Sequence, residues 1–253
     1  MRAQALGINR KNIYRPLKRN IADFQLKADI ESVWIDNPSY GHLPLGWHLK
    51  VNHKRISRVM KKFGLKPPRR KIRHFCTVSV PHQIFPNLIH DYIPERPHQL
   101  WCADVSFIKF QDRFWYLSTI EDIKSRQILA VQVSKFHNHQ LVLTTLKQAM
   151  IRSGKLPDIF HTDQGVEYMA QAVIDFLRDN QVKVSTSDKA SPWQNGYQES
   201  FFGRFKDEMG DINRFESVGE FVEAIYGQIH YYNNKRIHRA LRMPPAVYAQ
   251  QFS

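Results

Sequence analysis

Three strand-like segments follow one another from residue 100, and this pattern restricts the possible folds more than any other feature of the chain. They are 100–110 (LWCADVSFIKF), 114–122 (FWYLSTIED) and 126–134 (RQILAVQVS). Each is rich in β-branched and aromatic residues, and the connectors QDR and IKS are short enough to be turns. We therefore predict a three-stranded meander.

The segments after the meander alternate between helix and strand. Gly154 is predicted to end the first helix, and Ser217 with Glu220 forms a capping box that begins a later one. The predicted segments are a helix over 138–154, a strand over 158–163, a helix over 167–180, a strand over 182–187, a helix over 194–209 and a helix from 217. The order βββαβαβαα predicts an α/β domain.

Three acids stand out against this pattern. Asp104 lies within the first strand, where apolar neighbours make a charge costly. Asp163 ends the fourth strand, and Glu199 lies on the helix after the fifth. If the first and fourth strands are neighbours, Asp104 and Asp163 meet, and the helix lays Glu199 across them. Carboxylates crowded in this way protonate unless a cation lies between them.

Oxygen ligands favour Mg²⁺ or Mn²⁺, and two such ions can hold the attacking and leaving oxygens of a phosphodiester. The alternative for Asp163 is structural, because Asp-Gln-Gly is ordinary turn sequence, with Gly165 free to take positive φ. Asp122 is predicted to be a turn or cap residue, His161 a structural histidine and Cys102 a core residue.

The net charge of +14 is unevenly distributed. Residues 1–75 contain 18 Lys and Arg against four Asp and Glu, whereas residues 76–253 contain 19 of each. The whole excess therefore lies in the first 75 residues. Such a segment typically binds a polyanion, and nucleic acid is the expected partner. The alternative is a solvated basic arm without a specific partner.

A basic amphipathic helix is predicted within this segment, in NHKRISRVMKKFGLK (52–66). Its apolar stripe precedes Gly64, and its other face is cationic, as in a helix-turn-helix unit on DNA. An ordinary basic surface helix fits the pattern equally well. Upstream, Pro44 and Gly46 predict a break in a helix. The predicted DNA-binding residues here are Lys54, Arg55, Arg58, Lys61 and Lys62, with Arg69 and Arg70 in the linker that follows.

Membrane and disulfide-rich classes do not fit the sequence. No apolar run approaches the ~18 residues of a membrane span, and the N-terminus lacks the apolar core of a signal peptide. The two cysteines form no CxxC motif. We therefore expect a cytoplasmic protein, associated with the nucleoid if it binds DNA.

Four stretches resemble a known family: RPHQLWCADVSFI, HTDQGVEY, NGYQESFFGRFKDE and YYNNKRIHRALRMPP. The element order and the acids resemble the RNase H-like fold of DDE transposases and retroviral integrases. Asp163 and Glu199 are separated by 35 residues, the spacing typical of that superfamily. The stretches are similar to OrfB transposases of the two-frame insertion sequences, the insertion-sequence-three family, and NHKRISRVMKKFGL resembles that family's helix-turn-helix.

The resemblance covers nearly the whole chain and implies a division into three parts. Residues 1–75 would form a DNA-binding module, 76–99 a linker and 100–253 an RNase H-like integrase catalytic domain. It implies DNA cleavage and strand transfer at Asp104, Asp163 and Glu199 with two Mg²⁺ or Mn²⁺ ions. The expected partners are element and target DNA, a second copy of the chain, and a partner protein or fusion from an upstream frame.

Some alternatives stay open on the sequence. Lys206, with Arg204 beside it, is a predicted DNA contact, but it could be an ordinary exposed helix lysine. Arg236 and His238 could contact DNA or cap the final helix. A DNA-binding copy that has lost activity, or a metal-dependent nuclease of the same fold, are the rival functions.

Overall fold

The computed structural model describes residues 18–68, 85–187 and 195–252. The chain divides into two compact units, residues 1–69 and residues 70–253. The described residues include no helix with the length and apolarity needed to cross a bilayer.

Within residues 18–68, the N-terminal unit contains three helices, α1 (Lys18–Asp36), α2 (His42–His48) and α3 (His53–Lys62). Buried side chains from all three helices form its core: Leu26, Ile30, Leu45, Ile56 and Val59. Asn52 caps α3 by accepting a hydrogen bond from the Lys54 backbone N–H. Gly64 follows α3 with φ +67°, as the stop signal predicts.

The predicted helix break occurs after His48, at residues 49–52, and not at Pro44 or Gly46. Pro44 lies in the first turn of α2, where its missing N–H has no helical acceptor. Gly46 allows a close chain approach, since a Cβ there would lie 2.9 Å from the Val51 carbonyl oxygen. Pro44 and Gly46 are therefore compatible with two helices joined by a tight turn.

The C-terminal unit is built on one five-stranded sheet in the order β3-β2-β1-β4-β5. Its strands are β1 (Leu100–Phe110), β2 (Arg113–Asp122), β3 (Ile128–Ser134), β4 (Ile159–Thr162) and β5 (Lys183–Thr186). The first three form the predicted antiparallel meander. β4 pairs parallel with both β1 and β5, so the expected neighbouring of the first and fourth strands is confirmed.

Helices cover both faces of this sheet. They are α4 (His139–Ser153), α5 (Gln171–Asp179), α6 (Gly196–Met209), α7 (Val218–Asn234) and the short α8 (Pro245–Ala249). α4 and α5 pack on one face, and α6 and α7 on the other. Gly154 ends α4 in the left-handed region. The Ser217 hydroxyl caps α7 by accepting from the Glu220 N–H, so both end signals are confirmed.

Part of the predicted linker contacts the sheet edge. The Thr186 hydroxyl donates to the Phe85 carbonyl at 2.6 Å, and the Leu88 N–H donates to the Ser185 hydroxyl at 2.9 Å. Ile89 packs against the small core cluster around Leu100. Residues 85–89 are therefore attached to the catalytic unit, while the boundaries at 75 and 99 stay a prediction.

Candidate active site

The sheet brings Asp104 and Asp163 together. The parallel register of β1 and β4 pairs Leu100 with Ile159 and Cys102 with His161. Continuing this register by two residues along each strand places Asp104 beside Asp163. The Asp104 carboxylate accepts the N–H of its neighbour Val105 at 2.9 Å.

The pKa of the Asp104 carboxyl is raised to about 7. The largest cause is loss of hydration on burial, followed by the negative charge of Asp163, with a smaller effect from Glu167. The Val105 hydrogen bond and the Lys206 ammonium oppose this rise. At neutral pH the carboxyl is therefore about half protonated in the absence of an added positive charge.

The loop after Asp163 is shaped by close packing around Gly165. Asp163 Oδ1 accepts the Gly165 N–H at 2.9 Å. Gly165 does not use the positive φ that glycine permits, and among the described glycines those in the left-handed region are Gly64, Gly154 and Gly210. A Cβ at Gly165 would lie 2.8 Å from a Glu167 carboxylate oxygen. A side chain at this position would therefore displace the Glu167 carboxylate.

Helix α6 is anchored beside Asp104 by two amides. The Gln198 side-chain amide donates to the Cys102 carbonyl at 2.7 Å and accepts the Thr119 hydroxyl at 3.0 Å. Thr119 is the cross-strand partner of Asp104 in β2. The Asn195 amide donates to the Ala103 carbonyl at 3.4 Å. The start of α6 is thus fixed over the strand that carries Asp104.

Glu199 follows Gln198 in the first turn of α6 and is exposed. The acids that act on Asp104 are Asp163 and Glu167, and Glu199 is not among them. Within 18–68, 85–187 and 195–252, no three Asp, Glu, His or Cys side chains lie close enough to hold a metal ion. The structure therefore brings Asp104 and Asp163 together. Glu199, in the first turn of α6, is not gathered with them.

Lys206 lies on α6 within electrostatic reach of Asp104. Its ammonium nitrogen is 5.4 Å from the centre of the Phe107 ring and 5.9 Å from that of Phe202. It is half-buried, whereas Arg204 is exposed. Lys206 is thus placed between the acidic pair and two aromatic rings, unlike an ordinary solvated helix lysine.

The cationic face of α3 is partly committed to an internal contact. Asp23 of α1 is buried, and the Arg58 guanidinium donates to both of its carboxylate oxygens, while Lys62 contacts it at 2.9 Å. These two cations hold the pKa of Asp23 well below its usual range. Lys54, Arg55 and Lys61 are exposed. Arg69 and Arg70 lie outside the described residues.

Three side chains that the sequence marked as structural have structural contacts. The Asp122 carboxylate accepts the N–H groups of Ser125 and His98 at 2.7 and 2.6 Å. His161 is buried, and its ring nitrogens contact the hydroxyls of Ser185 and Ser187 at 2.9 and 3.0 Å. Cys102 is fully buried.

The C-terminal motif NNKRIHRAL also packs internally. The Arg236 guanidinium donates to Glu208 at 2.7 Å. Burial lowers the pKa of His238 to about 4, with help from Arg126 and Arg236. Both side chains are therefore partly or fully buried within the C-terminal unit, and a DNA contact for either stays a prediction.

Glu167 and Tyr168 are site residues that sequence reasoning did not single out. The charge of Glu167 raises the pKa of Asp104, and Tyr168 is buried within electrostatic reach of both Asp104 and Asp163. The only signal in the sequence was their position, four and five residues after Asp163. On a loop, spacing of this kind does not show which side chains turn inward.

Comparisons with known proteins agree with this geometry. Residues 94–192 match the integrase core domain family, and residues 180–245 match a second integrase core domain family. An uncharacterized transposase-like protein of Haemophilus influenzae is 32% identical over 205 residues, which are 80% of this chain and 95% of that protein. The putative transposase InsK for insertion sequence element IS150 of Escherichia coli is 27% identical over 89% of this chain and 83% of that protein.

The fold is also found among solved structures. The HTLV-2 integrase catalytic core domain, determined in complex with magnesium, superposes with a TM-score of 0.52 at 19% identity and covers 61% of this chain and 98% of that one. The C-terminal unit therefore has the RNase H-like integrase fold. Given the two integrase-core matches and the 32% identical relative, the chain belongs to the integrase-core DDE transposases of the insertion-sequence-three type.

Proposed function

We propose that Asp104, Asp163 and Glu199 form the cation-binding centre of this DNA transposase, which cleaves at insertion-sequence ends and joins the freed end to target DNA. The observation that carries the proposal is the adjacent pair Asp104 and Asp163. Two carboxyls lie side by side, and burial together with the neighbouring negative charge raises the pKa of one of them to about 7, so an added cation would favour the charged form of both.

The donor set suits Mg²⁺ or Mn²⁺. Oxygen ligands without cysteine are typical of these hard cations. Two bound cations would polarise the scissile phosphate and neutralise charge on the attacking and leaving oxygens. Glu199 would join the pair from the first turn of α6, whose start Gln198 fixes over β1.

The protein's own residues would then orient the DNA. Asp104 lies within β1 and Asp163 directly follows β4, so the reacting phosphate would be positioned from two hydrogen-bonded neighbouring strands. Lys206 would contact a phosphate next to the scissile one. Water serves as nucleophile for cleavage and a DNA 3′-hydroxyl for joining, so no side chain forms a covalent bond to DNA.

The basic N-terminal unit would hold element DNA through the exposed cations of α3. Joining requires two element ends to be brought together, which supports a homo-oligomer on DNA. A protein with chromosomal DNA as its substrate would be cytoplasmic and associated with the nucleoid. A partner or fusion from an upstream frame remains part of the proposal on the strength of the family resemblance alone.

Single substitutions test the centre. We expect Asp104→Asn, Asp163→Asn and Glu199→Gln each to abolish cleavage and joining together, because both steps would use one centre. DNA binding should survive, because the basic unit is unchanged. The measurement is cleavage and joining of a labelled element end in Mg²⁺, beside a DNA-binding titration.

The rival functions give different results in the same assay. A copy that only binds DNA would show neither reaction with the wild-type chain. A nuclease would cleave without joining a 3′-hydroxyl end to plasmid. Wild-type cleavage by any of the three variants would contradict the assigned centre.

A further inference from the structure

Glu167 is a buried acid beside the aspartate pair to which the reaction described above gives no role. Its side chain is only 8% exposed. Its negative charge raises the pKa of Asp104, as the negative charge of Asp163 does. A buried carboxylate next to two others is costly unless something positive compensates it.

The Glu167 carboxylate is held in place by its neighbours. The His137 ring nitrogen Nε2 lies 2.7 Å from Glu167 Oε1. The His137 ring is itself stacked on Tyr116, with ring centres 4.9 Å apart and planes 10° from parallel. On the other side, Gly165 leaves the space that the carboxylate fills. The charge therefore has a fixed position at the edge of the site.

A second observation shows that this acidic group is incomplete. Tyr168 is 1% exposed, and in the part of the chain that the structure describes its hydroxyl has no hydrogen-bond partner. That hydroxyl experiences the charges of Asp104, Asp163 and Glu167 together. Buried hydroxyls are rarely left unpaired. A buried, unpaired hydroxyl within electrostatic reach of three carboxylates leaves a hydrogen bond open for a further group at the site, such as an ion with its water.

We propose that Glu167, held by His137, is a positioning residue of the cation centre. Its carboxylate adds negative charge beside Asp104 and Asp163 and strengthens cation binding without ligating the cation. Among the described residues, Glu167 does not lie close enough to two other Asp, Glu, His or Cys side chains to form a metal site with them. The inference rests on the proposed function, because it requires that Asp104 and Asp163 hold the cation.

Calorimetric titration of the full chain with Mn²⁺ tests this role. Glu167→Gln removes the charge and keeps the size and an acceptor for His137. We expect Mn²⁺ to bind about 10- to 100-fold more weakly, the usual effect of losing a group that supports metal ligands. The melting temperature should stay near that of the wild type. His137→Phe keeps the stacking on Tyr116 but loses the contact to Glu167, and we expect a smaller weakening.

Glu208→Gln is the matched control. Glu208 is also a buried glutamate with a cationic partner at 2.7 Å, Arg236, but it lies outside the aspartate pair. We expect this variant to lose thermal stability and to keep wild-type Mn²⁺ affinity. If Glu208→Gln weakens Mn²⁺ binding as much as Glu167→Gln does, the effect is structural and the positioning role is wrong.

Asp104→Asn separates failure of this inference from failure of the proposed function. If Asp104→Asn loses Mn²⁺ binding while Glu167→Gln binds like the wild type, the centre stands and the role of Glu167 is wrong. If Asp104→Asn itself binds Mn²⁺ like the wild type, the cation centre has been assigned to the wrong residues.

Discussion

Lys206 and Glu167 place opposite charges near the same carboxyl, so at the residue scale their loss should have opposite effects on cation binding. The Lys206 ammonium lowers the pKa of Asp104, whereas the Glu167 carboxylate raises it. An ammonium repels a divalent cation, and the ligand that we propose for Lys206 is a DNA phosphate.

We therefore expect Lys206→Gln to reduce strand transfer by about tenfold or more, since a hydrogen bond to a charged group contributes about 1.5–3 kcal/mol. Mn²⁺ affinity should not fall, because the lost charge was repulsive. Lys206→Arg should be milder, although its planar fork does not copy an ammonium. Strand-transfer yield and Mn²⁺ calorimetry on both variants check this, and normal joining by Lys206→Gln would return the lysine to a surface role.

The residues around Asp163 also show where sequence reasoning stops. Asp104 and Asp163 could be predicted because a charge in an apolar strand and an acid at a strand end are local signals. The role of Gly165 could not, because the approach of the Glu167 carboxylate depends on how the loop closes. The partner of Glu167, His137, is 30 residues earlier in the chain, and no local pattern connects them.

At the scale of elements, strands and helix ends were predictable because their sequence signals are also local. Alternating apolar residues define the meander, and Gly154, Ser217 and Glu220 act through backbone groups within a few residues of themselves. The pairing of α3 with α1 was not predictable. The buried acid Asp23 is 35 residues from Arg58 and 39 from Lys62. The cationic face of α3, which the sequence predicts to bind DNA, is therefore partly used to hold α3 against α1.

This contact gives the N-terminal unit a dependence on pH. Because folding lowers the pKa of Asp23, the ion pairs stabilise the folded unit above the ordinary carboxyl range, near pH 4. That stabilisation is lost as the pH falls further toward the lowered pKa of the folded state. We expect the melting temperature of this unit to decrease across that window.

Asp23→Asn should lower the melting temperature by several degrees at pH 7, because it leaves two cations without their buried counter-charge. It should also flatten the dependence on acid pH. Thermal unfolding of the full chain can be followed by fluorescence of Trp34 and Trp47, both in this unit. Asp29→Asn is the control, since Asp29 on the same helix is only half-buried and accepts a hydrogen bond from the uncharged Gln25 amide. Equal pH profiles for wild type and Asp23→Asn would contradict this role.

At the scale of the whole molecule, charge and chemistry are allotted to different segments. The first 75 residues carry the entire excess of +14, while the remainder, which contains the acidic pair, is neutral overall. A neutral segment suits the proposed centre, which would concentrate negative charge to hold cations. We therefore expect affinity for DNA to come mainly from the first 75 residues.

Salt dependence of DNA binding tests that allotment in the intact chain. We neutralise three exposed cations of α3 in one variant, Lys54→Gln, Arg55→Gln and Lys61→Gln, and three exposed lysines of the C-terminal unit in another, Lys147→Gln, Lys155→Gln and Lys183→Gln. Each phosphate contact contributes about −0.9 to the slope of log K against log salt on duplex DNA. The first variant should therefore have a slope shallower by up to about 2.7, and the second should match the wild type. Arg58 and Lys62 are left unchanged because they hold Asp23, so a loss of slope in the first variant reports lost phosphate contacts and not an unfolded unit. Equal slopes in the two variants would show that the basic face of α3 does not carry the DNA.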